Sequence, residues 1–206
     1  RGDPIYSGIV PTETKVSLDE VRLLAPVIPR SKVVCVGKNY ADHAAEMGSE
    51  VPKEPVIFLK PNTSVIGPDD LIQWPRMSER VDFEGELAVV ISRICKDVPR
   101  EKVSDVIFGY TIANDVTARD LQKIDGQWSR AKGFDTFCPL GPWIETEFEP
   151  GSQQIKTTLD GEIKQSDVLT SMTFKIPEIV EFISSVMTLL PGDVILTGTP
   201  AGIGPM

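Results

Sequence analysis

Apolar positions along this chain recur mostly at period two, in short runs, and only three stretches show helical spacing. The strongest run is 81–92 (VDFEGELAVVIS). A strand there places Asp82, Glu84 and Glu86 on one face with Ala88 and Val90, and Phe83, Leu87, Val89 and Ile91 on the other. A second strand is predicted over 107–115 (IFGYTIAND), ending in Asp115, with shorter ones over 31–36, 56–59 and 194–197. Asp160-Gly161 marks a hairpin between 156–159 and 162–164. Helical spacing predicts a helix over 40–47 stopped by Gly48, and a turn over 116–122 capped by Thr117. A third helix is predicted over 176–190, opened by Pro177 and apolar at Ile179, Val180, Ile183, Val186, Met187 and Leu190. Many strands with few helices give a β-rich α+β fold. Residues 1–30 are Pro-rich, with one short amphipathic piece around 18–24, and read as a lead-in or remnant of a small N-terminal element.

Composition narrows the function classes. With 206 residues, 41% hydrophobic and 25% charged, the chain can bury one sizeable core. A net charge of −9 without a Lys/Arg run argues against nucleic acid as a partner. Cys35, Cys95 and Cys138 are odd in number and far apart, which suits reduced thiols and a cytoplasmic location. No apolar stretch reaches the roughly 18 residues of a membrane span. The chain opens on Arg1-Gly2-Asp3, a tripeptide common by chance, without Met, and is expected to be a fragment of a longer product.

The acidic strand carries the first chemical signal. Taken alone, its end reads as a solvated strand edge, with Gly85 leaving room for another backbone or a ligand. Asp115, at the lip of a second apolar strand, shifts that balance. Were Glu84, Glu86 and Asp115 to converge, each like-charge pair at about 4 Å would cost roughly 4 kcal/mol at an effective dielectric near 20. Convergence therefore requires a cation, and all-oxygen donors favour Mg²⁺ or Mn²⁺, with Ca²⁺ as an occupant, over zinc.

Other candidates divide between function and packing. His43, the single histidine, stands three residues before Glu46, one helical face on which a carboxylate orients an imidazole or an incidental exposed pair forms. Lys132 and Arg119 read equally well as solvated cations. Cys138 reads as a buried thiol, since His43 lies far from it in sequence. Gly198, Gly202 and Gly204 lack the ending of a phosphate loop, and Trp74, Trp128 and Trp143 read as packing residues.

Six ordered segments add a resemblance: VGKNYADHAAEMG (36–48), PVIFLKPNTSVIGP (55–68), VDFEGELAVVI (81–91), GYTIANDVTARDLQ (109–122), AKGFDTFCPLGPWI (131–144) and MTLLPGDVILTGTPAGIGP (187–205). Together the chain resembles the fumarylacetoacetate hydrolase family, especially its compact bacterial members and their acylpyruvase relatives. The resemblance implies a twisted, mixed β-roll forming a catalytic domain over 31–206, with further strands normally following the Thr-Gly-Thr-Pro-Ala-Gly segment. It implies Mg²⁺ or Mn²⁺ on Glu84, Glu86 and Asp115, with Lys132 a catalytic residue beside the metal that helps to neutralise the carboxylates and contacts substrate. It assigns substrate contacts to Lys60, Arg119, Gln122 and Thr199, and makes His43–Glu46 a lid pair that activates water. Homodimers are usual in the family. The activity it implies is metal-dependent C–C cleavage in a small 2-oxo acid through a stabilised enolate, as in oxaloacetate decarboxylation or fumarylpyruvate hydrolysis. Isomerisation of a hydroxymuconate-type diene acid is the alternative within the family, and a non-catalytic metal-binding protein the alternative outside it.

Overall fold

The central strands are buried on both faces, and the strands of the described residues build one mixed sheet with two smaller ones. The computed structural model describes residues 3–206, so Arg1 and Gly2 of the Arg-Gly-Asp tripeptide lie outside the described residues. The strands are β1 (Val33–Gly37), β2 (Val56–Lys60), β3 (Val65–Ile66), β4 (Val81–Phe83), β5 (Gly85–Ile91) and β6 (Ile107–Asn114). They continue as β7 (Thr117–Ala118), β8 (Cys138–Glu145), β9 (Gln154–Leu159), β10 (Glu162–Val168), β11 (Val194–Leu196) and β12 (Gly204–Pro205). The helices are α1 (Pro4–Ser7), α2 (Ala41–Glu46), α3 (Arg119–Asp125), α4 (Ser129–Lys132) and α5 (Ile176–Val186). The seven-stranded sheet runs β2-β1-β11-β5-β6-β8-β3, with β1–β11 and β3–β8 parallel and the other pairs antiparallel. β12-β4-β7 form a three-stranded sheet, and β9-β10 a hairpin whose turn residues Asp160 and Gly161 both have positive φ.

The two faces of β5 sit in different cores. Leu87, Val89 and Ile91 pack with Val34, Val36 and the α5 residues Ile179, Val180 and Ile183. Ala88 and Val90 pack with Val33, Cys35, Cys138 and Leu140. A third cluster of Val81, Val116, Ala118, Leu121, Ala131 and Phe137 lies under the small sheet. No helix among the described residues is long and apolar enough to cross a membrane.

Several expectations change. β5 lies between β11 and β6, so the acidic segment is no sheet edge. The single strand over 81–92 divides at Glu84, which bonds to the end of β6 instead. Its N–H donates to Asn114 Oδ1 at 2.9 Å, and its carbonyl accepts from Asp115 N–H at 2.8 Å. Thr117 caps no helix: α3 begins after Ala118, and the Thr117 hydroxyl donates inward to the Asp115 carbonyl at 2.9 Å. The last helix stops at Val186 because Met187 is extended and Leu189 pairs both ways with Cys95. Residues 18–24 hold only an exposed 3-10 turn over Leu18–Glu20. Trp128 packs edge-on against Phe58, but Trp74 and Trp143 are 48% and 59% exposed.

Candidate active site

The break in the acidic strand is what gathers the carboxylates. Gly85 pairs with Asn114 and Glu86 with Ala113, a register that brings Asp115 opposite Glu84. One oxygen from each of Glu84, Glu86 and Asp115 then lies within 4.8 Å of the others, and all three residues are buried. Gly85 is closely approached here by a neighbouring side chain. A Cβ on it would stand 2.2 Å from Thr157 Oγ1, so what the glycine admits is β9.

Positive charge from the chain meets part of this demand. Lys132, on α4, donates to Glu84 Oε2 at 3.0 Å, to Asp115 Oδ2 at 2.5 Å and to Thr117 Oγ1 at 2.8 Å. Lys60 donates to Asp115 Oδ1 at 2.6 Å and to the Val116 carbonyl at 3.2 Å. Arg119 donates from Nε to Asp82 Oδ2 at 2.9 Å, from Nη1 to Gln122 Oε1 at 2.6 Å, and from Nη2 to Glu84 Oε1. Burial opposes the charge on Glu84, but Lys132 and Arg119 outweigh it and hold this carboxyl well below the usual carboxylate range. Burial likewise opposes the Lys132 charge, and Asp115 and Glu84 outweigh that, pushing the ammonium pKa up. Asp82, on the same strand face, is taken up by Arg80 and Arg119 and stands outside the group of three.

Glu86 is the group left over. Its Oε2 accepts from Gly198 N–H at 2.6 Å, and no side-chain cation pairs with it among the described residues. Burial first, then the charges of Asp115 and Glu84, push its carboxyl well above the usual range. A divalent cation fits this arrangement: the donors are all carboxylate oxygens, and one of them lacks the counter-charge the other two have. The folded chain therefore releases the Glu86 proton at a higher pH than the unfolded chain does. Stability from that proton is complete below the ordinary glutamate pKa of about 4.3 and is lost as pH rises through the raised value. Binding Mg²⁺ or Mn²⁺ must displace the proton. Calorimetry in buffers of different ionisation enthalpy is expected to show proton release on binding and affinity that rises with pH from about 5; pH-independent affinity would contradict this.

The three carboxylates open onto a cleft of about 190 Å³ whose walls also carry His43, Arg119, Gln122, Lys132 and Thr199. His43 is buried on α2, with Nδ1 3.2 Å from Glu46 Oε2. Glu46 stands behind the ring and accepts from Gly202 N–H at 3.1 and 3.3 Å. Lys60 departs from its expected role. It is 1% exposed, lies behind Asp115 and is absent from the cleft wall, so it holds a carboxylate instead of reaching substrate. Cys138 is buried too, its thiol pushed up to about 12 chiefly by burial, as suits a packing residue.

Four contributors escaped the sequence reading. The glycine-rich stretch after β11 supplies backbone donors, Gly198 N–H to Glu86 and Gly202 N–H to Glu46. Both glycines have positive φ, and a Cβ on Gly202 would lie 2.0 Å from the Lys164 carbonyl. Gln165, fully buried on β10, accepts from Gly85 N–H and donates to Thr199 Oγ1 and the Pro200 carbonyl, tying the hairpin under the site. No spacing rule singles it out. Lys38 and Lys123 also line the cleft. The signal for Lys38 was its place in the Val-Gly-Lys-Asn-Tyr segment, next to the His43 helix.

Comparison with known proteins agrees with this fold. Residues 32–206 match the family described as fumarylacetoacetate (FAA) hydrolase C-terminal. A protein of Mycobacterium tuberculosis is 60% identical over 208 residues, covering 100% of this chain and 76% of its own length. The Bacillus subtilis protein named oxaloacetate tautomerase YisK is 45% identical, over 91% of this chain and 65% of its own. The Mycobacterium marinum structure titled 2-hydroxyhepta-2,4-diene-1,7-dioate isomerase superposes with a TM-score of 0.90 at 52% identity, covering 100% of this chain and 77% of that one.

Proposed function

Because the chain belongs to the fumarylacetoacetate hydrolase family, we propose that it is an enzyme that moves a proton at the carbon beside the oxo group of a small 2-oxo acid, interconverting keto and enol forms. The observation that carries this reading is an imidazole braced by a carboxylate on the same cleft wall as the Glu84, Glu86 and Asp115 group. A divalent cation on those three residues would supply Lewis acidity toward the acid's carboxylate and oxo oxygens. The chain's own groups do the rest. His43 Nδ1–H donates to Glu46, which fixes the tautomer and leaves Nε2 to accept the proton from C3. Glu46 is held in turn by Gly202 N–H, so the ring is anchored to the loop that also bonds Glu86. Lys132 and Arg119 place fixed positive charge beside the oxygen on which negative charge develops, and His43 returns the proton there to complete the enol. The names of the Bacillus subtilis and Mycobacterium marinum relatives support a proton-moving reaction.

Cleavage of the bond beyond C3 is a second reading, favoured by the family's hydrolytic description and by a His–Glu pair able to hold a water. The test is an assay panel with Mg²⁺ or Mn²⁺: ketonisation of enol oxaloacetate, pyruvate release from oxaloacetate, hydrolysis of fumarylpyruvate and isomerisation of a hydroxymuconate diene acid. His43→Ala is expected to lower kcat/KM for tautomerisation by about 10²–10⁴ without weakening metal binding. Wild-type rates in His43→Ala would remove the base role. Loss of fumarylpyruvate hydrolysis alone would move His43 to water activation, and no turnover of any substrate would favour the non-catalytic alternative.

A further inference from the structure

Resting on that 2-oxo acid reading, we propose that Lys38 and Lys123 form an anion subsite at the cleft mouth that holds the distal carboxylate of a dicarboxylic 2-oxo acid, so that diacids are selected over monoacids. The inner cations of the cleft are engaged by its carboxylates, and Glu86 has no cation partner among the described residues. Glu84 pairs with Arg119 and Lys132, Asp115 with Lys60 and Lys132, and His43 with Glu46. Lys38 and Lys123 line the same cleft, and neither has a carboxylate within ion-pair distance among the described residues. Two lysines with no ion-pair partner among the described residues thus line one opening in a chain of net charge −9. A 2-oxo acid whose reacting end meets the inner carboxylates through a cation has only its far end left to meet them.

The backbone supports a built site. Lys38 has φ +58, the left-handed region that side chains other than Asn and Asp rarely adopt. Its neighbours enforce this. Asn39 is clamped by Phe174 and Thr197, donating from Nδ2 to both carbonyls and accepting from Phe174 N–H at Oδ1. On the other side Gly37 lies under Trp128, where a Cβ would stand 2.7 Å from the ring. The Lys38 backbone is therefore fixed from both sides on the cleft wall. Along α3, Arg119 is buried, Gln122 half-buried and Lys123 exposed, a succession from the inner site to the mouth.

Two five-carbon acids isolate the distal group, since 2-oxoglutarate and 2-oxovalerate differ only by a terminal carboxylate. In Mn²⁺ calorimetry the wild-type chain is expected to bind the diacid at least about tenfold tighter, as one charge-assisted hydrogen bond allows. The double variant K38M/K123M should lose that preference while binding 2-oxovalerate within about twofold of wild type. K38R should keep it, and Mn²⁺ affinity and thermal melting serve as checks on folding, with K123M alone as the second variant. Equal wild-type affinity for the two acids, or a preference that survives the double substitution or is lost equally for both acids, overturns the subsite alone. Wild-type binding of neither acid, nor of oxalate, overturns the 2-oxo acid reading and the subsite with it.

Discussion

Glu86→Gln is expected to abolish metal-dependent activity while making the metal-free protein more stable above about pH 5. Glutamine has the shape of a protonated glutamate and keeps an acceptor for Gly198 N–H. It also removes the proton linkage that Glu86 imposes through burial and the neighbouring Asp115 and Glu84 charges. That linkage costs the wild-type fold about 1.4 kcal/mol for each pH unit between the ordinary glutamate value and the raised one. The gain should therefore be absent near pH 4 and grow as pH rises above the ordinary glutamate range in melts run with chelator. Metal affinity should fall by at least about 100-fold, since even groups that merely orient ligands are worth about 10–100-fold. A variant less stable than wild type at pH 8 in chelator would show that the Glu86 charge is matched in a way the structure does not contain.

Lys132→Met should act in the opposite direction. Its ammonium is shared between Glu84 and Asp115 in a dry setting, with the Phe58 ring 5.0 Å away. Removing it leaves buried carboxylates short of a counter-charge, and breaking such pairs costs about 3–5 kcal/mol. The loss should read out as a melting temperature lower by on the order of 10 °C. Added Mg²⁺ or Mn²⁺ should recover part of it, because a divalent cation neutralises the same carboxylates. Activity should stay low, with the fixed charge beside the reacting oxygen gone. A loss under about 1 kcal/mol, or one unrelieved by metal, would mean that Lys132 contributes little to this balance.

These two substitutions also mark how far the sequence could be read. The faces of β5 followed directly from period two: Ala88 and Val90 against Leu87, Val89 and Ile91 is the division found between the two cores. The helix over Ala41–Glu46 and the hairpin at Asp160-Gly161 were legible because spacing and turn residues act within a few positions. Length was less legible. The 176–190 helix overran by four residues because its last apolar positions serve a long-range pairing with Cys95.

The sequence by itself determined a β-rich α+β chain, an acidic strand followed by an acidic strand end, and a single histidine spaced to face a glutamate. It could state that clustered carboxylates need positive charge, which is a property of the residues alone. Periodicity and composition could not state which charges answer; the resemblance named Lys132 alone. Only the tertiary structure decided that Lys60 stands behind Asp115 instead of in the cleft, that Lys132 bridges two carboxylates, and that Glu86 has no cation partner among the described residues. Those choices depend on a strand break at Glu84 and on the register of β5 against β6, which bring together residues some thirty positions apart. Periodicity reports which face a side chain takes, and only packing decides what waits there.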